Sequence, residues 1–285
     1  MAAREHSGSG DLSRSMALLW GMEERAKRGP KPGISVARIV DTAIGIADTE
    51  GLEAVSMRKI AGSLGVGTMS LYRYVPGKAE LLDLMLDAVG SVEPEDVERF
   101  ESLTTWRERL RSLAHSMWEH YLEHPWLLQV DQGRPVLGPN GLEAFELALG
   151  GFEGLLLTDQ EKVGFVTSID ATASGLARVH VNATQAEART GISDQEFWEA
   201  QSPALESAMA SGRYPRIAKL AEDSFSALDE ETFMFAIDRM LDGLGALLDR
   251  RRAEGWTVPP VHPECHDEGK GEGKGEGKQA GVKSD

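Results

Sequence analysis

Apolar residues recur along this 285-residue chain at intervals of three and four positions, and no segment alternates convincingly between apolar and polar residues. Intervals of three and four are typical of amphipathic helices, whereas strict alternation is typical of strands. In the first strongly patterned segment, Val36, Ile39, Val40, Ala43 and Ile46 lie on one helical stripe. The pattern therefore predicts an all-α fold.

After residue 33, four short helices are predicted in the first third of the chain. Ser35 is placed as the N-cap of the first helix, because its hydroxyl can accept a hydrogen bond from a free N–H of the first turn. The second helix begins after Ser56 and is broken by Gly65, since glycine readily leaves the helical conformation. The third is expected from about residue 68 to residue 74, before a leucine-rich fourth helix.

Longer helices are predicted in the remainder of the chain. Three of them open with Ser/Thr-x-x-Glu, the capping box, at Thr105, Thr158 and Ser193. The helix after Thr158 is expected to turn its apolar residues inward as far as Val179. Pro203 is expected to interrupt the helix that Ser193 opens, because proline has no N–H to donate.

The two ends of the chain differ from its centre. Residues 1–33 are predicted to form a flexible basic extension, disordered up to residue 11, with a short helix over residues 12–27 and then cations among helix breakers. Near the other end, Gly-Glu-Gly-Lys repeats offer almost nothing apolar to pack. Residues 256–285 are therefore predicted to be a disordered tail.

Charge is divided unevenly along the chain. The whole chain has 30 Lys and Arg against 46 Asp and Glu, a net charge of -16, which by itself argues against a nucleic-acid-binding protein. Residues 1–78, however, hold 11 basic and 8 acidic residues, whereas residues 79–285 hold 19 and 38. A basic head on an acidic body can bind a polyanion with one end only.

Other features restrict the class of protein. Cys265 is the single cysteine, so an intramolecular disulfide and a four-cysteine zinc module are excluded. The sequence has neither an apolar leader nor a run of 18 apolar residues, so we expect a soluble, cytoplasmic protein that does not contact a membrane. The GxGxxG, P-loop, GxSxG and HExxH motifs are absent, and we expect a non-enzyme without a metal or other cofactor.

Residues 56–75 fit a helix-turn-helix, in which one helix braces the next in the major groove of DNA. Ala61 is small where the two helices cross, Gly65 permits the turn, and Leu71 faces the core. Arg58, at the start of the bracing helix, can reach a guanine edge. The residues predicted to contact DNA are Ser56, Arg58, Thr68, Met69, Ser70, Tyr72, Arg73, Tyr74 and Lys78.

Over residues 35–90 the chain resembles the DNA-binding domain of the tetracycline-repressor (TetR) family of bacterial regulators. The motif that carries the resemblance runs from Ser56-Met57-Arg58-Lys59-Ile60-Ala61 to Leu71-Tyr72-Arg73-Tyr74-Val75-Pro76-Gly77-Lys78. Two later segments resemble the C-terminal domain of the tetracycline-repressor subgroup itself, which extends the resemblance over residues 34–252. These are Trp106-Arg107-Glu108-Arg109-Leu110 and Tyr121-Leu122-Glu123-His124-Pro125-Trp126.

The resemblance implies a homodimer, with an interface and a small-molecule pocket formed by the C-terminal helices. Its two heads contact a palindromic, double-stranded operator until an effector changes their spacing. The resemblance also implies base contacts for Arg58, Thr68 and Met69, and phosphate contacts for Ser70, Tyr72, Tyr74 and Lys78. It does not imply tetracycline, because no metal–tetracycline ligand aligns residue by residue. We therefore expect a repressor that is released by a small apolar or amphipathic effector.

These expectations divide the chain into four parts. A flexible basic extension precedes a three-helix, helix-turn-helix DNA-binding domain, and a helical domain for effector binding and dimerisation precedes the disordered tail. The predicted boundaries are residues 1–33, 34–80, 81–255 and 256–285.

Small-molecule pockets are mostly apolar with a few polar groups. The candidates for an effector pocket are Trp118, Phe152, Phe165, His180 and Asn182. Each has a structural alternative, since the aromatic residues also suit a core and an isolated histidine is often a core or interface residue with its hydrogen bonds satisfied.

The residues of the predicted DNA-binding surface also have alternative roles. Tyr72 or Met69 can be a packing residue, Arg73 a solvated cation, and Ser56 an N-cap. The basic stretch before the first strong helix suits a minor-groove arm, through Arg28 and Lys31, but also suits a solvated tether.

Two further classes of function remain as alternatives. One is a helical enzyme fused to a DNA-binding head; the other is an architectural protein that uses its C-terminal helices only to dimerise. His120 and His124 are spaced like a metal-binding pair on one helix, but a pair at a helix end beside proline is expected to be structural. Ligand-type side chains in the tail are not expected to form a site; they are His262, Cys265, His266 and Asp267.

Overall fold

The computed structural model describes residues 6–22, 34–221, 224 and 229–258. The described residues form twelve α-helices and no strand, which confirms the predicted all-α class. Helices α1 to α12 span Leu12–Leu19, Val36–Glu50, Met57–Leu64, Thr68–Leu71, Lys78–Val89, Pro94–Ser102, Trp106–Glu123, Pro139–Gly150, Asp159–Thr184, Ala186–Thr190, Asp194–Ala210 and Glu230–Ala253. Short 3-10 helices span Leu52–Ala54, Pro125–Gln129 and Ile217–Lys219. The predicted arm residues Arg28 and Lys31 and the repeats of the tail lie outside the described residues.

Helices α2, α3 and α4 form the head, and local signals set their ends. The Ser35 hydroxyl accepts a hydrogen bond from the N–H of Arg38 at the start of α2, as predicted for an N-cap. Gly65 ends α3 with φ +69°, a left-handed conformation that L side chains rarely adopt. Leu71 from α4 is fully buried in the head core together with Ile39 and Ile60. The helix-turn-helix geometry follows from this turn and this core.

Helix α5 connects the head to the rest of the chain. Its apolar residues Leu81, Leu82 and Met85 are buried in the core, and α2 packs against it. Helix α8 packs near its other end, where the Asp87 carboxylate accepts a hydrogen bond from the N–H of Gly141. A movement of α5 would therefore change its contacts with both the head and the body.

The body is built around α7, α9 and α12, which pack against one another. Both α7 and α9 begin with the predicted capping box. Trp118, Ile169, Phe233 and Leu241 are among the side chains that these helices bury. Such burial stabilises each large apolar side chain by about 1.5–3 kcal/mol relative to leaving it exposed, so the long helices derive their stability from one another.

The head and body are also joined directly by a polar contact. Asp48, near the end of α2, accepts a hydrogen bond from the indole Nε1 of Trp126 at 2.8 Å. The same carboxylate oxygen lies 2.8 Å from Nδ1 of His124. Because Trp126 is buried, its N–H has no access to bulk water, and Asp48 supplies the acceptor that it needs.

The N-terminal segment differs from the expected flexible extension. Residues 6–22 include α1, which packs against α5, and residues 6–11 are held by hydrogen bonds rather than disordered. The sequence gives no local signal of this contact, because its partners lie about 70 residues away in the chain.

Three details of the helices also differ from prediction. Helix α11 continues through Pro203 without interruption, because this helix is exposed and the carbonyl that loses its N–H partner can bind water instead. Helix α4 ends at Leu71 and is followed by a turn, rather than continuing to Tyr74. Val179 faces outward on α9 instead of joining the core.

Candidate nucleic-acid interface and effector region

Helix α4 and the turn after it have one side buried in the head and one side exposed. Leu71 and Val75 are buried in the head core. Met69 is 77% exposed and Tyr72 is 43% exposed, so neither side chain is needed to fill that core. Arg73 is exposed beside them in the turn that follows α4. This arrangement leaves the outer side of α4 available to a groove of DNA.

The remaining predicted DNA-contacting residues surround α4. Arg58 is exposed at the start of α3, and the Ser56 hydroxyl accepts a hydrogen bond from the N–H of Lys59, so Ser56 is an N-cap whether or not it also contacts DNA. Four others are partly buried: Thr68, Ser70, Tyr74 and Lys78. The structure thus distributes the nine residues over the start of α3, the whole of α4 with its turn, and the start of α5.

The candidate effector residues fall into two aromatic pairs and one separate residue. Trp118 stacks on Phe233 with ring centroids 4.8 Å apart, and His180 meets Trp118 edge-on at 5.6 Å. Phe152 and Phe165 form an edge-on pair at 5.9 Å. The first group joins α7, α9 and α12, so it lies where the three central helices of the body meet.

Asn182 lies apart from these aromatic groups. It lines a cleft of about 630 Å³ between the end of α2 in the head and α9 and α10 in the body. Its side-chain oxygen accepts a hydrogen bond from Arg189. Arg178, in the same cleft, donates to the carbonyl of Leu128. Asn182 is therefore placed at the junction between head and body rather than beside Trp118.

A polar pair inside the body was not anticipated from the sequence. The Tyr121 hydroxyl donates a hydrogen bond to Asp170 at 2.8 Å, between α7 and α9. Burial, followed by the negative charge of Asp170, raises the pKa of Tyr121, and burial also raises the pKa of Asp170. The available signal was a single acidic residue among the small and apolar residues in the middle of α9.

The pKa of His120, one residue before Tyr121 on α7, is also shifted. Burial, and then the neighbouring His124, lower the pKa of His120 to about 4. His120 and His124 have ring centroids 5.5 Å apart, while His124 is directed at Asp48. Within the described ranges, no group of three or more His, Cys, Asp or Glu side chains is placed to hold a metal ion.

Two of the long helices of the body, α9 and α12, carry faces that a single chain leaves uncovered. On α12, Phe235 is 64% exposed beneath the guanidinium of Arg239, and a Cβ added at Gly243 would meet open space. On α9, Val179 is 48% exposed. These faces are the candidates for an interface with another protein, since large exposed apolar patches mark such sites. Among the helices that the structure describes, none is long and apolar enough to cross a membrane.

Comparison with known families matches both parts of the chain. Residues 39–85 match the family described as bacterial regulatory proteins, tetR family. Residues 101–248 match the family described as tetracyclin repressor-like, C-terminal domain. These matches contain the head and most of the body.

Individual proteins are similar to the chain over most of its length. The chain is 48% identical over 250 residues to the HTH-type transcriptional repressor DrrR1 of Streptomyces coeruleorubidus, covering 88% of this chain and 92% of that protein. It is similar in structure to apo ActR from Streptomyces coelicolor, with 27% identity, a TM-score of 0.57, and coverage of 76% and 97% of the two chains. ActR in complex with actinorhodin gives 26% identity, a TM-score of 0.58, and coverage of 77% and 98%.

Proposed function

Because the chain belongs to the tetR family of bacterial regulators and is therefore a DNA-binding transcriptional regulator, we propose that it is a homodimeric repressor whose operator binding is relieved by a small-molecule effector. The observation that carries this proposal is the exposed outer side of α4 above the buried Leu71. Access to an operator on the chromosome places the protein in the cytoplasm.

The head binds DNA through the outer side of α4 and the elements next to it. Arg58, Thr68 and Met69 contact base edges, where Arg58 takes a guanine and Met69 an apolar surface such as a thymine methyl. The hydroxyls around α4, the guanidinium of Arg73 and the ammonium group of Lys78 contact phosphates and so set the register. The residues in this second group are Ser56, Ser70, Tyr72, Arg73, Tyr74 and Lys78. Arg28 and Lys31 extend the contact into the minor groove.

Two copies of the chain associate through the uncovered faces of α9 and α12. The exposed Phe235 and Val179 would lose water contact in such a dimer, and the glycine at 243 permits close approach of the helices. A dimer presents two heads, and heads of this type read half-sites about one helical turn apart, ~34–36 Å, or a multiple of it. The operator is therefore a palindrome.

The effector binds in the body, beside the aromatic group of Trp118, Phe233 and His180. Aromatic side chains favour a flat apolar or amphipathic molecule, and the Tyr121–Asp170 pair supplies polar groups in a buried setting. The relative ActR is known in complex with actinorhodin, which supports an effector of this kind. Phe152, Phe165 and Asn182 remain candidates for contact with the effector, although the two phenylalanines form a separate pair and Asn182 lines the separate cleft.

Release follows from a preference of the effector for one conformation. An effector that binds the DNA-incompetent arrangement of the heads more tightly by ~1–3 kcal/mol lowers operator affinity by roughly 5–150-fold. An effector with equal affinity for both arrangements would release nothing, however tightly it bound.

Selection of binding sites from a random duplex pool tests the proposal with the full-length protein. We expect one palindromic sequence to be enriched, with half-sites spaced as above. A labelled copy of that site then reports release by a panel of aromatic, amphipathic molecules that includes actinorhodin. A pool without an enriched sequence would contradict the regulator; an operator that no molecule in the panel releases would favour the architectural alternative.

A further inference from the structure

Three carboxylates of α5 form a row that the chain buries. Glu80, Asp83 and Asp87 are three and four positions apart, so they lie on one stripe of the helix. All three are buried, and Asp83 is only 1% exposed. Burying an ionised carboxylate is costly unless hydrogen-bond donors replace the water that it loses. The donors to this row therefore decide whether α5 can hold its present position.

The N-terminal segment supplies most of these donors. The N–H of Gly8 and the hydroxyl of Ser15 donate to the two oxygens of Asp83, at 2.8 and 2.7 Å. The N–H of Asp11 donates to Glu80 at 2.9 Å. Ser15 is itself 0% exposed, so its hydroxyl is available to Asp83 and not to water. Residues 6–20, called the strap below, thus supply from within the chain the hydrogen bonds that water would otherwise give to these carboxylates of α5.

The fit between the strap and α5 is close. A Cβ added at Gly10 would lie 2.9 Å from the Cβ of Ala79 and would overlap the carboxylate of Glu80. Such a distance is shorter than carbon atoms normally reach, so a larger side chain at residue 10 excludes the docked position. Gly10 therefore gives a way to remove the contact without changing α5.

The strap also holds the body. The N–H of Ser7 donates to the carbonyl of Asp131, and the Ser7 hydroxyl accepts from the N–H of Val136. Further along, the indole of Trp20 donates to the carbonyl of Leu137. The strap therefore joins the loop before α8 to α5, the helix that continues from the head.

We infer that the strap holds α5, and with it the head, in the orientation that binds the operator. Ser15 and Asp83 are then positioning residues for DNA binding, although neither touches DNA. The inference rests on the proposed operator binding and adds to it an internal contact that sets the affinity. When the strap leaves, the carboxylates become exposed and water can solvate them. Helix α5 can then change its orientation without unfolding.

Substitution of Gly10 tests the inference in the full-length protein. Gly10→Val adds a branched side chain where a Cβ has no room, and Ser9→Val adds the same side chain at the exposed neighbouring position. Hydrogen exchange of the α1 amides reports whether the strap is docked. We expect faster exchange and an operator affinity weaker by about 5-fold or more for Gly10→Val only, since couplings of this kind begin near that size. Faster exchange with wild-type operator affinity would overturn the inference.

A second pair of variants separates positioning from packing. In Asp83→Asn the amide oxygen can accept from Gly8 and the amide nitrogen can donate to the Ser15 hydroxyl, which both donates and accepts. Asp83→Leu has neither group. We expect the operator affinity of Asp83→Asn to stay near wild type and that of Asp83→Leu to fall about 5-fold or more; equal affinities for the two would refute the inference.

Removal of the strap is a third test, and it does not require a substituted side chain to displace the strap. A folded dimer that lacks residues 1–20 and binds the operator like the full chain would also overturn the inference. If the wild-type protein selects no operator at all, the proposed function fails first. If it selects one and these variants bind it normally, only the role of the strap is lost.

Discussion

Tyr72 and Leu71 are neighbours in the sequence with opposite environments, and their substitution separates DNA binding from folding. Tyr72 is 43% exposed on the proposed DNA-binding side of α4, whereas Leu71 is buried in the head core. We predict that Tyr72→Ala greatly weakens operator binding and leaves the dimer intact. Leu71→Ala is predicted to destabilise the head itself.

The expected magnitudes follow from these environments. A hydrogen bond to a charged group such as a phosphate contributes about 1.5–3 kcal/mol, and a dimer makes the contact twice. The loss of about 3–6 kcal/mol corresponds to an operator affinity roughly 10²–10⁴-fold weaker. The free energy of unfolding should change by about 0.5 kcal/mol or less for Tyr72→Ala, as for other surface substitutions. For Leu71→Ala it should fall by about 2–5 kcal/mol.

Fluorescence anisotropy with a labelled operator, sedimentation and urea denaturation provide the three measurements. Tyr72→Phe is the matched control, because it keeps the ring and removes only the hydroxyl. If the hydroxyl contacts a phosphate, Tyr72→Phe should lose most of the affinity that Tyr72→Ala loses. Loss of the dimer or of a cooperative unfolding transition in Tyr72→Ala would contradict a DNA-contacting role, since Tyr72 would then be a packing residue.

Three further predictions concern other parts of the molecule. Arg58→Ala should lose ~1–3 kcal/mol of discrimination at one base step in a binding-site selection; uniform weakening on all sequences would make Arg58 a phosphate contact. Asp48→Ala leaves the buried N–H of Trp126 without its acceptor, so urea denaturation should show about 1–3 kcal/mol of lost stability, unlike Asp41→Ala on the same helix. His120 has a folded-state pKa of about 4 against an ordinary 6.5, so stability should fall as the pH drops from 6.5 to 4, and His120→Leu should flatten that slope in thermal unfolding.

The elements that local signals define were predictable from the sequence. The N-caps at Ser35 and Ser56 and the glycine at 65 act within a few residues of themselves, so their effect can be read from neighbouring positions. The capping boxes at Thr105 and Thr158 are equally local. The outward direction of Met69 and Tyr72 follows from the helical period once Leu71 is placed in the core.

Contacts between distant segments were not predictable in the same way. Ser15 and Asp83 are 68 residues apart, and Asp48 and Trp126 are 78 apart. A polar side chain gives no sign in the sequence of which distant donor it will meet. The prediction that Pro203 interrupts its helix was wrong for a different reason. The rule that proline ends a helix is weaker where the neighbouring carbonyl faces water.

The decisive experiment measures binding of the full-length protein to the duplex upstream of its own gene by fluorescence anisotropy. A scrambled duplex is the comparison, at ~150 mM salt, because the non-specific component depends strongly on salt. A sequence-specific repressor should prefer the native duplex, or the sequence enriched from a random pool, by ~10³-fold or more. Equal, weak binding to all duplexes would contradict a sequence-specific regulator.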